Sequence, residues 1–335
     1  MTNKSSRWST EPFLLRPAAK DYLWGGRRLN DDFGKDIPLS PLAETWECST
    51  HPDGPSTVAS GPMAGRTLSA LLRQAPGLLG DRPGPDGGLP ILIKFIDAAR
   101  DLSVQVHPDD AYAREHENVP NGKTELWYVL DAAPGASLIY GFSRDMTARA
   151  VRRAVEQGTV ERCLQRVPVH KDDVFFIPAG TVHAIGAGAL IAEIQQSSNL
   201  TYRMYDYGRT DRSGRRRPLH LDKALAVADL HARPLPRQPL RVLRYRPGCA
   251  SELLCRCRYF QVERLLINTA RCRSMARLAA EPDRFAVLLC VDGCGTLFWG
   301  QGSALRFCKG DCVFVPAGAP PLHLHGQAVL LRVTC

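Results

Sequence analysis

No stretch of this sequence approaches the roughly 18–20 consecutive apolar residues that a membrane-spanning helix needs. The polar opening, through Arg16, likewise lacks the apolar run of a secretory signal. A soluble, cytoplasmic protein with no membrane partner is therefore expected. No tight cysteine pair recurs at a fixed gap, as structural zinc sites favour: Cys290/Cys294 and Cys308/Cys312 are each separated by three residues. The eleven cysteines are odd in number and irregular in spacing, so they read as buried thiols rather than a disulfide framework. Nor is there a basic stripe interleaved with aromatics. The one dense basic run, Arg212-Ser-Gly-Arg215-Arg216-Arg217, sits among turn formers and reads as a solvated loop, so no nucleic-acid partner is expected. The excess of Lys plus Arg (43) over Asp plus Glu (34) suits an anionic ligand instead.

What is present is a chain of 335 residues, room for about two domains of roughly 100–200 residues each. Short β-branched or alternating runs bounded by Gly, Pro and Asp fill two regions, from about Leu89 to Tyr207 and from about Tyr259 to Val333. They predict a mainly β protein of sandwich or barrel type with a few helices. Ser143 is expected to cap a helix over Met146–Leu164, and a second helix is expected over Leu219–Ala228. The Pro- and Arg-rich stretch before Gly248 reads as a linker, giving domains at 1–230 and 249–335 joined by 231–248.

An internal repeat sharpens the fold class. Lys171-Asp-Asp173-Val-Phe-Phe176-Ile-Pro178-Ala-Gly180 returns as Lys309-Gly-Asp311-Cys-Val-Phe314-Val-Pro316-Ala-Gly318. A turn into a strand, an apolar strand and a Pro-Ala-Gly turn out of it resembles the double-stranded β-helix (jelly-roll) barrel of the cupins, here duplicated.

Residues two apart on a strand share a face. Gln105 and His107 therefore point to one side of the run Leu102–His107, together with Ser103. A polar excursion from Pro108 to Gly122 then leads into an apolar run that contains Glu125, and His183 follows directly on the first Pro-Ala-Gly turn. An unpaired His or Glu on an apolar strand is costly to bury. Two imidazoles, a carboxylate and an amide oxygen suit Zn²⁺, and also accept Mn, Fe or Co. In the second repeat Pro321 stands where His183 stands in the first, and aligning Gly141 with Gly300 sets Arg284 opposite Glu125. No histidine occurs from Cys249 to Leu322, and His323 and His325 read as surface or rim residues. The first barrel is thus expected to carry the metal, and the second to be degenerate.

Several ordered motifs resemble the type I phosphomannose isomerases in their short bacterial form. They are Leu23-Trp-Gly-Gly26, Glu44-Thr-Trp-Glu47, Lys94-Phe-Ile-Asp97, Leu102-Ser-Val-Gln-Val-His-Pro108, Gly122-Lys-Thr-Glu125, Pro178-Ala-Gly-Thr-Val-His183 and Asn199-Leu-Thr-Tyr-Arg203-Met-Tyr-Asp206. The resemblance covers almost the whole chain and is looser in the C-terminal barrel. It implies interconversion of mannose 6-phosphate and fructose 6-phosphate at one Zn²⁺ per chain, with Gln105, His107, Glu125 and His183 as ligands. It further implies Arg203 and Lys123 as catalytic residues, and Lys94, Ser103 and Glu193 in the substrate cleft; a monomer or weak homo-oligomer is expected. Asn199 departs from the acidic residue that longer members carry nearby. A non-catalytic carbohydrate-binding or regulatory metal cupin is the alternative. An iron-dependent dioxygenase is a third reading, against which the glutamine ligand and the lysine-rich cleft argue.

Overall fold

The computed structural model describes residues 8–210, 214–270, 272, 274–278 and 281–335. Residues 1–7 of the polar opening, and Arg212 and Ser213 of the basic run, lie outside the described residues. The chain is mainly β with a few short helices, as its alternating runs predict. No helix among the described residues is long and apolar enough to cross a membrane.

By contact the chain divides into two compact units, neither of them contiguous in sequence. One holds residues 19–45 and 92–239; the other holds residues up to Ala18, 46–91 and 240–335. The linear division at 1–230 and 249–335 groups the early segments with the first barrel, whereas contact groups two of them with the C-terminal strands. The reason is strand pairing. Phe13–Arg16 runs antiparallel to Cys312–Val315 on one side and to Thr57–Val58 on the other.

In the unit that contains the candidate ligands, two sheets enclose a core. A six-stranded sheet has the order Val174–Ile177, Glu125–Ala132, Ala189–Gln196, Ile91–Asp97, Glu44–Cys48, Ala18–Lys20. A five-stranded sheet has the order Tyr202–Tyr205, Val104–Val106, His183–Ile185, Ser137–Phe142, Leu164–Pro168. Trp127, Val129, Phe175 and Ile191 from the first sheet meet Leu138 and Ile185 from the second in one buried cluster. The outer face of the five-stranded sheet buries Val104, Val106, Ala184 and Met204 under helical residues such as Val151 and Ala224. Alternate residues therefore serve two different cores.

The other unit is built on one ten-stranded sheet whose two longest strands, Ala286–Trp299 and Leu322–Thr334, pair along most of their length. A register shift between Cys290 and Asp292 marks a bulge there, the usual device for bending a long strand. The repeat has the same local mechanics in both units. Asp173 accepts a hydrogen bond from the His170 amide (2.8 Å), and Asp311 accepts one from the Cys308 amide (2.7 Å). Gly180 and Gly318 both take a left-handed backbone, at φ +84° and +68°, a conformation that glycine adopts without a Cβ penalty.

Local expectations change in three places. The helix expected over Met146–Leu164 is shorter: Thr147, not Ser143, caps Ala148–Glu156 by accepting from the Ala150 amide. Gly158, at φ +66°, ends it before a 3-10 turn at Val160–Cys163, and the Ser143 hydroxyl donates to the Cys163 carbonyl instead. The second helix forms at Leu221–Val227. Cys294 and Cys308, expected as thiols, are disulfide-bonded across the neighbouring strands Ala286–Trp299 and Ser303–Cys308, where the register sets them opposite each other.

Candidate metal centre

Strand periodicity delivers the polar groups. Glu125 shares a face with Trp127 and Val129, Glu193 with Ile191, Lys94 with Ile96, and His183 with Ile185; each of these apolar partners lies in the core between the sheets. Gln105 falls between Val104 and Val106, which face the helices, so it points inward. Cross-strand register then sets His183 opposite Gln105, and Gln105 opposite Arg203. The return from Pro108 to Glu125 depends on Gly122, because a Cβ there would meet the Asp109 carbonyl carbon at 2.4 Å. The Lys123 amide closes this return on the Pro108 carbonyl at 3.0 Å.

His107, Glu125 and His183 converge, all buried, with ligand atoms within 4.8 Å of one another. His107 Nε2 lies 3.2 Å from one Glu125 oxygen, and His183 Nε2 lies 3.6 Å from the other. Each ring is oriented from behind. His107 Nδ1 is 2.7 Å from the Leu200 carbonyl and His183 Nδ1 is 2.8 Å from the Thr181 carbonyl. A carbonyl accepts, so Nδ1 carries the proton and each Nε2 lone pair turns to Glu125, the arrangement metal-binding histidines use. Burial, reinforced by the Lys123 ammonium, pushes His107 down to about 3, and burial lowers His183 as well. Both rings are neutral, as ligands must be. Burial works against the Glu125 carboxylate, but the Lys123 ammonium in contact with it prevails and holds its pKa well below the usual range. Gln105 sits 3.4 Å from His183 through its amide nitrogen; a flip of the amide, which leaves its shape unchanged, presents the oxygen.

This donor set fits a divalent cation. Glu125 Oε2 is buried and accepts no hydrogen bond among the described residues, a costly state unless something positive faces it. Charge points the same way. Three buried carboxylates (Glu44, Glu125, Glu193) surround two buried ammonium groups (Lys94, Lys123). Burial, and next the Glu125 charge, raise the pKa of Glu193, against the pull of Lys123 and Lys94.

A cavity of about 300 Å³ opens beside these groups, lined among others by Lys94, Ser103, Gln105, Lys123, Glu193 and Arg203. All five residues expected beyond the ligand set thus reach one space. Lys94 bridges Glu44 (3.6 Å) and Glu193 (3.4 Å), and Glu193 accepts from Trp127 Nε1 at 3.0 Å. Arg203 donates to the Pro218 carbonyl at 2.8 Å, while its Nε is buried without a hydrogen-bond partner among the described residues. Asp206 is not its ion-pair partner: that carboxylate binds Arg209 and Arg217. Arg217 corrects the reading of the basic run as wholly solvated, since it lines the cavity. Sequence reasoning passed over Arg217 because only its pairing with Asp206, at 2.8 Å and 2.6 Å, brings the loop inward. Asn199 and Thr201 line the cavity too.

Among the described residues the second barrel shows no such centre. Its register sets Ala286, not Arg284, opposite the strand position where Glu125 faces Ile177, because Val315 is the repeat counterpart of Ile177 and pairs with Ala286. Arg284 lies before the strand and pairs with Glu281 at 2.7 Å. By either alignment the carboxylate is lost.

Residues 13–131 match the model of the phosphomannose isomerase type I catalytic domain. The chain is 37% identical over 320 residues to the mannose-6-phosphate isomerase ManA of Bacillus subtilis, covering 96% of this chain and 98% of that one. It is 44% identical over 219 residues to the probable mannose-6-phosphate isomerase GmuF of the same organism, 65% of this chain and 68% of that one. The crystal structure of the mannose 6-phosphate isomerase from Bacillus subtilis superposes with a TM-score of 0.88 at 34% identity, over 96% of this chain and 99% of that one.

Proposed function

The chain belongs to the type I mannose-6-phosphate isomerases, and from that premise we propose that it interconverts mannose 6-phosphate and fructose 6-phosphate through an enediolate, using one Zn²⁺. The observation that carries the reading is the buried His107–Glu125–His183 trio, whose neighbours Gln105 and Lys123 line a cavity together with Arg203 and Lys94. His107, Glu125 and His183 hold the metal, with the Gln105 amide oxygen as fourth ligand. When bound, Zn²⁺ supplies Lewis-acid stabilisation of charge that develops on sugar oxygens.

The remaining chemistry falls to the chain's own groups. Isomerisation moves a proton between C1 and C2 and leaves negative charge on the oxygens between those steps. Arg203 stabilises that charge: its guanidinium stays protonated, and burial strengthens its field by excluding water. Lys123, flanked by His107 and Glu193 at 3.2 and 3.8 Å, is the proton-handling group nearest the ligands. Lys94 and Ser103 hold anionic and hydroxyl oxygens of the substrate, and Glu193 accepts from a sugar hydroxyl. Glu44, Glu193 and the Trp127 indole fix Lys94 and Glu193 in place, so little reorganisation remains to be made on binding. The partner is then a phosphorylated hexose and the location cytoplasmic.

A coupled assay for fructose 6-phosphate, run with metal quantification and chelation, tests the reading. Turnover of mannose 6-phosphate that disappears on chelation, returns with Zn²⁺ and is lost in His183→Ala supports it. A metal-replete protein that binds the sugar phosphate without turning it over refutes it in favour of a binding cupin.

A further inference from the structure

The second barrel has Pro321 and Ala286 in place of the candidate ligands, yet it carries cavities of its own. Continuing the repeat past its Pro-Ala-Gly turns matches Pro321, Leu322 and His323 with His183, Ala184 and Ile185. Because His183 pairs with Gln105, the same register carried two residues on sets Ile185 opposite Ser103, and both residues line the first cavity. In the second barrel His323 pairs with Arg277 and Leu322 with Leu278. Arg277 thus takes the register place of Ser103 and His323 that of Ile185, but the facing is inverted: Ile185 lies in the first core, whereas Leu322 and Leu324, with Ala276 and Leu278 opposite them, lie in the second.

Arg246, Arg277, Pro321 and His323 line a cavity of about 540 Å³ there. A smaller one of about 110 Å³ shares Arg246, Arg277 and Leu278 with it, and adds Arg244, Arg332 and Glu263. Arg244 and Arg246 lie two apart on the strand Arg244–Arg246 and so share a face. Charge is unbalanced. In the smaller cavity four arginines meet one carboxylate, and that carboxylate already pairs with Arg332 at 3.2 Å. Among the described residues Arg244, Arg246 and Arg277 form no ion pair. Like charges gathered on one concave surface repel. A guanidinium fork also matches phosphate geometry better than any other side chain does. Leu265, Ile267 and Leu278 supply an apolar floor beside them.

We propose that this cavity of the second barrel is a binding site for a small phosphorylated metabolite, its phosphate held between Arg246 and Arg277 with Arg244 beside them. The first barrel would act on a sugar phosphate, and the second would hold an anion without transforming it, having no metal ligands or carboxylate at the matching positions.

Isothermal titration of the full chain separates the possibilities, using inorganic phosphate, inorganic pyrophosphate and a hexose phosphate as probes. The expected result is two binding equivalents for the hexose phosphate. One of these weakens at least about tenfold in the Arg246→Gln/Arg277→Gln double variant. Both arginines are exposed, so the double variant is expected to melt as the parent does and to keep its turnover in the absence of added anion. Arg203→Ala should weaken the other equivalent and leave this one in place. A single equivalent, or an isotherm unchanged in the double variant, overturns the proposal. Binding of phosphate and pyrophosphate at these arginines with exclusion of the hexose phosphate overturns the assignment to a phosphorylated metabolite.

Discussion

The two barrels share a turn–strand–turn unit and differ in what they place around it. In one, the Pro-Ala-Gly turn leads to His183, whose Nε2 turns toward Glu125; in the other it leads to Pro321, and Ala286 stands where the carboxylate would be. The shared part consists of backbone requirements: an aspartate that accepts a turn amide, a left-handed glycine, an apolar strand. The part that differs is chemistry on the inward face. A barrel can lose every ligand and keep its fold, since the inward polar groups contribute little to the packing that holds the sheets together, whereas Trp127, Phe175 and Ile191 in one unit and Leu297, Val313 and Leu330 in the other supply it.

Variants in matched positions test this contrast. The largest effect is expected at the ligands. Glu125→Ala or His183→Ala should abolish stoichiometric metal and reduce turnover well beyond the roughly 10–100-fold that outer-shell changes cost, while His323→Ala leaves metal content unchanged; elemental analysis alongside the coupled assay reads both. Next comes Arg203→Ala, with about a 10²–10³-fold fall in kcat, the usual cost of removing a donor to a developing oxyanion. Its metal content should stay intact, which distinguishes charge stabilisation from metal binding.

A smaller effect is expected at Asp206, which no second-barrel residue matches. Burial alone would raise its carboxyl, but hydrogen bonds from Arg217 and Arg209 outweigh this and hold it below its ordinary value. A depressed folded-state pKa makes the stabilising contribution complete above the unfolded value of about 3.9, and the contribution fades as pH falls through the folded value. Asp206→Asn should therefore cost about 2 kcal/mol at neutral pH, raise KM through the loosened Arg217, and converge with the parent in acid; chemical denaturation across pH measures the convergence. The smallest effect belongs to the shared turns. Asp173→Ala and Asp311→Ala should each cost about 1 kcal/mol, and a clear inequality between them in denaturant midpoints would show that the repeat is not mechanically equivalent in the two units.

Much of the site was legible along the chain. A period of two put Gln105 inward between Val104 and Val106, and Glu125 on the face of Trp127. The repeat located His183 at a strand mouth. Motif resemblance added Arg203, Lys94, Ser103, Lys123 and Glu193, and the cavity gathers all five. Arg217 stayed hidden, because a basic loop carries no periodicity and its inward turn rests on a contact with Asp206 eleven residues away. The Cys294–Cys308 bond was equally out of reach: their spacing of fourteen is unremarkable until the register of two strands sets them opposite each other.

The sequence by itself determined the alternation of inward and outward residues, the turns that end each strand, and the replacement of the candidate ligand His183 by Pro321 in the second repeat. These depend on φ/ψ preference and on neighbours one to four residues apart. Tertiary structure alone decided that residues 46–91 join the C-terminal strands. It also decided that two lysines and three carboxylates share one buried space, and that three arginines with no ion pair among the described residues line one cavity of the second barrel. Those outcomes depend on which strand pairs with which and in what register, choices set by the fit of whole sheets rather than by any local run of residues.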